Sequence, residues 1–228
     1  MAAAEVYNDI YLVGSADITD LKDCAVYLLN LGELVLIDAG AGTSLDKIIH
    51  NIEELGLNPE KIAAVILTHC HIDHIGGAPK LREKFGARII MHHLDAEILE
   101  RGDEKMTAAS WYNLRFPPMQ VDTKLTNEEK SLRFGDQEVV CLHTPGHTPG
   151  SLSIYVDRGE KRILFGQDIH GPFYEEFGSD LAAWRRSMEK LLALEADILC
   201  EGHFGVYQPK DRVEEYIKHY LAIYNERS

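Results

Sequence analysis

Apolar and polar positions alternate along the chain with two periods, which predict a mixture of helices and strands. Apolar residues recur at helical spacing in the segment 44–55, for example at Leu45, Ile48 and Ile52. Helices are predicted over 44–55, 75–85, 181–194 and 213–224. Short apolar or alternating runs predict strands over 10–13, 25–31, 34–37, 62–67, 88–91, 130–134, 138–142, 151–156, 162–165 and 198–199. The run 62–67 is apolar throughout, which is typical of a strand buried on both faces.

The order of these segments predicts an α/β fold in which helices cover sheets within one domain spanning 1–228. Residues 100–125 break the rhythm, since they hold Trp111, Tyr112 and the stretch Phe116-Pro117-Pro118 with little periodicity. A loop of this length inside a compact domain is either a functional lid or a surface insertion packed on its own aromatic side chains. Both interpretations remain open from the sequence.

Composition narrows the classes of function. Lysine and arginine total 23 against 37 aspartates and glutamates, so the net charge of −14 disfavours a nucleic-acid substrate. Apolar runs fall short of the ~18 residues that cross a bilayer, and the first residues lack the basic and apolar regions of a secretory signal. The four cysteines form no CxxC pair, and three of them adjoin apolar runs. We therefore expect free thiols, no membrane partner and a cytoplasmic location.

The candidate chemistry is concentrated directly after the buried strand 62–67, in a segment rich in histidine. This segment reads Thr68-His69-Cys70-His71-Ile72-Asp73-His74. Imidazole and carboxylate groups are ligands for zinc, iron and related ions. Placing these polar groups at the end of a buried strand would be costly without a counter-charge. The segment therefore predicts a metal site.

Three further candidate ligands each follow a predicted strand. His147 lies in the rigid turn Thr144-Pro145-Gly146-His147-Thr148-Pro149-Gly150-Ser151, Asp168 follows the strand 162–165, and His203 follows the strand 198–199. Each is a weak signal alone, but together with the first motif they indicate one composite site.

These four motifs together resemble the metallo-β-lactamase-fold superfamily over about residues 10–205. The resemblance implies a four-layer αβ/βα sandwich with the site along one edge of the two sheets. It also implies that one metal is held by His69, His71 and His147, a second by Asp73, His74 and His203, and both by a bridging Asp168. Asp38 matches the superfamily's aspartate that orients a ligand imidazole.

This ligand set implies two divalent metal ions, with zinc expected and iron or manganese as alternatives. A water bridging two such ions becomes a hydroxide near neutral pH. The expected activity is hydrolysis of an ester, thioester or lactone-type small molecule by that hydroxide. Asp73 counts among the catalytic residues as well as the ligands, and His170 or Tyr174 is expected to donate a proton or bind an oxyanion.

Several members of the superfamily fit less well. Asp168 stands where dedicated β-lactamases usually carry cysteine or serine, and His71 stands where flavodiiron proteins carry glutamate. Glutathione thioesters are disfavoured because the glycine-arginine loop expected after the bridging aspartate is missing. Two alternatives stay open: a persulfide dioxygenase with one iron on His69, His147 and Asp168, and a non-catalytic ligand sensor. The sequence does not exclude a homodimer.

Overall fold

The computed structural model describes residues 2–225, and within them the strands form two sheets. The first sheet runs in chain order from β1 to β7. Its strands are β1 (Ala4–Tyr7), β2 (Ile10–Gly14), β3 (Val26–Asn30), β4 (Leu34–Ile37), β5 (Ile62–Ile66), β6 (Arg88–His92) and β7 (Thr123–Leu125). The strands from β4 to β7 are parallel, so their carboxyl ends lie along one edge of the sheet.

The second sheet has the order β13-β12-β11-β10-β9-β8. Its strands are β8 (Glu129–Phe134), β9 (Gln137–His143), β10 (Leu152–Arg158), β11 (Lys161–Gln167), β12 (Ile198–Glu201) and β13 (Val206–Tyr207). β11 and β12 form its parallel pair, while the other neighbours are antiparallel.

Helices cover the outer face of each sheet. The helices are α1 (Leu45–Glu54), α2 (Ile72–Ile75), α3 (Ala78–Phe85), α4 (His93–Arg101), α5 (Leu181–Ala193) and α6 (Lys210–Asn225). One apolar cluster joins α1 to α4 with the first sheet, and another joins α5 and α6 with the second. The four-layer αβ/βα sandwich expected from the sequence is confirmed.

The central core lies between the two sheets. Tyr27 and Phe165 meet there edge to face, with ring centroids 5.4 Å apart. β5 is buried on both sides, because Val65 belongs to the helix-side core while Ala64 and Ile66 belong to the central one. Its continuous apolar run therefore reflects a strand with no solvent-facing side.

The helix predicted over 75–85 is divided in the structure. α2 ends at Ile75 and α3 begins at Ala78, with two glycines between them. A Cβ on Gly76 would lie 2.2 Å from the Ala41 carbonyl oxygen, and one on Gly77 would lie 2.3 Å from that of Ala39. Glycine is required here because the backbone packs directly against the loop that follows β4.

The pattern did not predict β1, α4, β7 and β13. The apolar residues that α4 buries are only Ala96, Ile98 and Leu99, which span too few turns for a clear helical period. The final helix also begins earlier than predicted, at Lys210.

The segment 100–125 is attached to the fold at several points. Phe116, Met119 and Val121 are buried in the helix-side core. A short 3-10 helix, Ala109–Tyr112, projects from it and leaves Trp111 55% exposed. The segment is thus anchored by its own apolar residues and presents one aromatic edge outward, and its movement as a lid stays a prediction. In the part of the chain that the structure describes, none of the helices has the length and apolar character to span a membrane.

Candidate metal centre

The polar residues singled out in the sequence converge at one edge of the sandwich. Asp38 follows β4, the histidine-rich segment 68–74 follows β5, and Asp168 and His203 follow β11 and β12. His147 lies in the turn between β9 and β10. The carboxyl ends of parallel strands meet at the same edge of a sheet, so residues distant in sequence become neighbours.

The first group of ligand atoms comprises His69, His71, His147 and Asp168, whose ligand atoms lie within 4.8 Å of one another. His147 Nε2 is 2.9 Å from His71 Nδ1 and 3.5 Å from Asp168 Oδ2. His69 Nε2 is 3.9 Å from the same carboxylate oxygen. Ligands of a tetrahedral zinc ion with bonds of ~2.0–2.1 Å are about 3.3 Å apart, which is close to this spacing.

A second group comprises Asp73, His74 and His203. Asp73 Oδ2 lies 3.6 Å from His74 Nε2 and 3.4 Å from His203 Nε2. Both imidazole nitrogens are also 3.3 Å from Asp168 Oδ1. The two carboxylate oxygens of Asp168 therefore face different groups, Oδ2 the first and Oδ1 the second.

Several of the candidate ligand atoms lack a hydrogen-bond partner among the described residues. His69 Nε2, His74 Nε2 and Asp168 Oδ1 are buried and accept or donate no hydrogen bond. Buried polar atoms without partners are rare because leaving them unpaired is costly. A divalent cation bound among imidazole and carboxylate groups removes that cost, so the donor set fits such a cation.

Burial and charge determine the protonation of these groups. Burial lowers the pKa of His69 and His71 well below the ordinary value and that of His147 to about 4. These imidazoles are therefore neutral at pH 7, which is the form that binds metals. Burial alone would raise the pKa of Asp168, but the imidazoles of His203 and His74 outweigh it and hold that pKa well below its usual range.

Asp38 lies behind the ligands and is fully buried. Its Oδ2 is 2.7 Å from His74 Nδ1 and accepts the Thr68 hydroxyl at 2.8 Å, while its Oδ1 accepts the Thr68 N–H at 2.8 Å. The Gln167 side-chain amide also donates to Oδ2. Asp38 adopts a left-handed backbone conformation with φ of 63°, which aspartate tolerates better than most residues.

The outer nitrogens of two other ligand imidazoles are also engaged. His69 Nδ1 lies 3.1 Å from the Thr68 hydroxyl, and His147 Nδ1 lies 2.8 Å from the Pro172 carbonyl oxygen. Such contacts fix the tautomer and the ring orientation of a ligand. The inner nitrogens are thereby presented to the centre of the site.

His170 and Tyr174 both line the cavity beside the ligands. His170 Nδ1 is 2.6 Å from Glu201 Oε1, and the Glu201 carboxylate also accepts the backbone N–H groups of His203 and Phe204. Tyr174 stands at the mouth, 41% exposed, with its ring 5.2 Å from that of Trp111.

The cavity has a volume of about 220 Å³ and opens onto both ligand groups. Aromatic rings form much of its wall, with Trp111, Tyr112, Tyr174 and Phe177 among the lining residues. Trp111 and Phe177 are in edge contact, with centroids 4.9 Å apart. Lysine and arginine do not occur among the described residues that line it.

Sequence reasoning did not find every residue at this site. Tyr112 lies beside Asp73, and burial followed by the Asp73 charge raises the pKa of its phenol. Glu201 is fully buried and holds His170, although its position directly before Gly202-His203 was visible in the sequence. Asp95 lies in α4 and is also fully buried, and it contacts the two loops that carry His69, His71 and His147. Tyr112 and Asp95 reach the site only through the fold, whereas Glu201 stands two residues before the candidate ligand His203 in the sequence.

Comparison with known proteins is consistent with the geometry. A hydroxyacylglutathione hydrolase of Haemophilus influenzae is 29% identical over 150 residues, covering 65% of this chain and 66% of the relative. An acyl-coenzyme A thioesterase of Gallus gallus is 28% identical over 201 residues, covering 76% and 69%. A protein of Bacillus subtilis named "Probable metallo-hydrolase" is 29% identical over 198 residues, covering 74% of each. The match covers between 40% and 74% of the length of these curated relatives, so the chain corresponds to only part of each of them.

Solved structures share the whole architecture. A metallo-beta-lactamase with a HARLDQ motif from Cronobacter sakazakii superposes with a TM-score of 0.85 at 25% identity, covering 100% of this chain and 94% of that one. A subclass B3 metallo-beta-lactamase of Bradyrhizobium japonicum superposes with a TM-score of 0.72 at 27% identity, covering 89% and 78%. The family model of the metallo-beta-lactamase superfamily matches residues 19–203, which contain both ligand groups. The chain belongs to the metallo-beta-lactamase superfamily.

Proposed function

We propose that the protein is a hydrolase that uses two metal ions, with zinc as the expected metal. Its substrate would be a small ester, thioester or lactone with an apolar, uncharged acyl part. The single observation that carries this proposal is the position of Asp168. Its Oδ2 faces His69 and His147 and its Oδ1 faces His74 and His203, at 3.3 to 3.9 Å. A carboxylate placed between two complete groups of ligands suits a pair of cations better than one.

A pair of divalent cations supplies a hydroxide at neutral pH and polarises the oxygen of the scissile group. The residues that would hold the pair are His69, His71, His147, Asp73, His74, His203 and Asp168. Asp38 and Thr68 keep the inner nitrogens of the imidazoles aimed at the centre. The nucleophile therefore needs no serine or cysteine side chain.

His170 is the residue that we assign to the leaving group. Its Nδ1 is engaged by Glu201 at 2.6 Å, which leaves Nε2 for the cavity that the ring lines. From there the imidazole can pass a proton to the departing oxygen or sulfur. Tyr174 and Tyr112 place phenol groups on the same cavity, where they can donate hydrogen bonds to an oxyanion.

The wall of the cavity supports an apolar acyl group. Trp111, Tyr174 and Phe177 offer aromatic faces, and the described lining residues include neither lysine nor arginine. A substrate bearing carboxylates or phosphates near its reacting bond would lack a partner there, and the net charge of −14 disfavours it further. Two relatives are named for thioester hydrolysis, which supports the same class.

The four buried free cysteines favour a reducing compartment, so we place the protein in the cytoplasm. Its partner in that compartment would be the small-molecule substrate, and the homodimer that the sequence does not exclude stays open.

Metal analysis combined with a substrate panel tests the proposal. We expect two zinc-type ions per chain by mass spectrometry, and turnover of neutral acyl esters, thioesters or lactones in preference to phosphodiesters and a β-lactam. Asp168→Asn should lose activity and one or both metals. Asp157→Asn removes an exposed carboxylate of β10 that pairs with Arg162 of β11. This variant should keep both its activity and its metal content.

Two outcomes would overturn the proposal. One iron per chain together with oxygen uptake on persulfides would indicate the dioxygenase chemistry instead. Two bound metals with no turnover of any substrate in the panel would indicate a ligand sensor.

A further inference from the structure

Asp95 is a buried carboxylate outside the ligand set. It lies in the first turn of α4, and its exposure is 0%. The described part of the chain provides no lysine, arginine or histidine ion pair for it. Its partners are instead three neutral donors on two loops, so its burial requires an explanation in terms of those loops.

Two of the three donors are neighbours of a candidate metal ligand in the sequence, and the third lies in the turn that carries His147. Asp95 Oδ2 accepts the backbone N–H of Cys70 at 2.9 Å, and Cys70 is the residue between His69 and His71. The same oxygen accepts the hydroxyl of Thr148, which follows His147, at 2.7 Å. A single oxygen atom therefore connects the two loops that carry the three imidazoles of the first group.

The other oxygen extends this connection. Asp95 Oδ1 accepts the N–H of Gly150 at 2.7 Å, and the Thr148 hydroxyl also lies 2.8 Å from that of Ser151. A Cβ on Gly150 would be 2.4 Å from Oδ1 and 2.7 Å from the Asp95 nitrogen. The turn after His147 is therefore shaped around this carboxylate, and only glycine fits at 150.

We propose that Asp95 is a positioning residue for the first metal. It sets the separation between the loop of His69 and His71 and the loop of His147, and thereby the affinity and coordination geometry at those three imidazoles. This inference rests on the proposed metal centre. Asp95 itself touches neither the metals nor the substrate.

The test is cobalt and zinc binding by Asp95→Asn, read without reference to turnover. The amide is similar in shape, but its NH₂ group must face an N–H or O–H donor, so at least one of the three bonds is lost. We expect the affinity of one of the two zinc sites to fall by about 10- to 100-fold in competition with a chromophoric chelator. The visible spectrum of the cobalt-substituted protein should change, while the second site keeps its affinity.

Thr148 provides a second variant in case Asp95→Asn does not fold. Thr148→Val removes only the hydroxyl that meets Oδ2, and it should lower the affinity of the same site. Thr148→Ser retains a hydroxyl and should restore both the affinity and the cobalt spectrum. A purely structural role would make the serine and valine variants differ in stability without changing the spectrum.

Asp23 is the matched control. It is also a buried carboxylate, 2% exposed, that accepts bonds from loop donors: the hydroxyls of Thr19 and Ser44 and the N–H of Ala41. Asp23→Asn should reduce stability to denaturant without altering either metal affinity or the cobalt spectrum.

Two results would overturn the proposal. Asp95→Asn and Thr148→Val could bind two metals with unchanged affinities and spectra, or Asp23→Asn could shift the spectrum as far as Asp95→Asn does. A wild-type protein that binds no metal would instead refute the proposed function, so the two failures are distinguishable.

Discussion

At the scale of the residue, the site depends on side chains that hold other side chains. His74 takes its orientation from Asp38, His147 from the Pro172 carbonyl and His170 from Glu201. A ligand imidazole that is held through its outer nitrogen loses little freedom when its inner nitrogen binds a metal. We therefore expect the metal affinity of the proposed centre to depend on these supporting residues as well as on the ligand atoms.

Asp38→Asn should weaken the second metal site. The amide cannot accept from Thr68, Gln167 and His74 together, so the His74 ring loses the carboxylate that fixes it. We expect the zinc affinity of that site to fall by about 10- to 100-fold, measured by competition with a chelator. Asp157→Asn serves as the surface control. Unchanged zinc affinity at both sites in Asp38→Asn would show that Asp38 has no part in metal binding.

The cysteines should be unreactive in the native protein. Burial raises the pKa of the Cys141 thiol to about 12, and Cys24, Cys70 and Cys200 are also buried. At pH 8 the Cys141 thiol therefore stays protonated, and the thiolate is the nucleophile. Ellman's reagent should therefore react slowly with the folded protein and rapidly with four thiols in guanidinium. Fast reaction of the native protein would contradict this burial.

At the scale of the element, helix α5 supports the turn that carries His147. Asp180 caps the helix by accepting the N–H groups of Ala182 and Ala183, and its own N–H donates to the Gly146 carbonyl at 2.9 Å. A Cβ on Gly146 would lie 2.3 Å from the Cβ of Trp184. The backbone of the turn that carries His147 therefore packs directly against the start of α5.

Removing the cap of α5 tests its share of the stability. Asp180→Ala leaves the first N–H groups of the helix without a side-chain acceptor, and we expect the free energy of unfolding to fall by about 1 kcal/mol. Urea denaturation measures the change. Asp180→Ser keeps a capping oxygen and should recover most of it, whereas equal losses in both variants would argue against capping.

The aromatic edge of the 100–125 segment is expected to contact substrate. Trp111 is 55% exposed, so Trp111→Ala should lower the free energy of unfolding by less than the roughly 3–5 kcal/mol lost when a buried tryptophan is truncated. It should raise KM for apolar acyl substrates by roughly tenfold, because a ring contact of about 1.4 kcal/mol is lost. Leu21→Ala, which removes an 89% exposed apolar side chain elsewhere, should leave KM unchanged. Equal KM values in the two variants would show that the 100–125 segment does not contact the substrate.

At the scale of the whole molecule, the proposed metal centre lies between the two sheets. Its ligands come from loops after β5 in the first sheet and after β9, β11 and β12 in the second. A cation that binds only the folded chain stabilises it by mass action. Metal binding should therefore stabilise the packing of one half of the sandwich against the other.

Metal removal should accordingly lower the thermal stability. Treatment with a strong chelator is expected to lower Tm by at least about 4 °C, since 1 kcal/mol corresponds to roughly 2–4 °C in a chain of this size. Differential scanning calorimetry measures the shift, and added zinc should reverse it. An identical Tm in protein whose metal loss has been verified by mass spectrometry would contradict this coupling.

Local pattern was sufficient to predict most of the fold. The apolar runs that became β3, β4 and β5 are recognisable because a buried strand needs consecutive apolar residues, whatever its neighbours. α4 escaped prediction because its buried stripe is short, and β7 and β13 because strands of three and two residues carry almost no period.

The sequence by itself determined which residue types are available for metals, because the run His69-Cys70-His71-Ile72-Asp73-His74 places its donors within six consecutive residues. The tertiary structure alone decided that Asp168 presents one oxygen to each group and that Asp95 reaches Thr148, 53 positions away. The physical reason is the range of the interaction. Periodicity and motif spacing report on neighbours along the chain, whereas a buried carboxylate takes its partners from whichever loops the packed sheets bring to it.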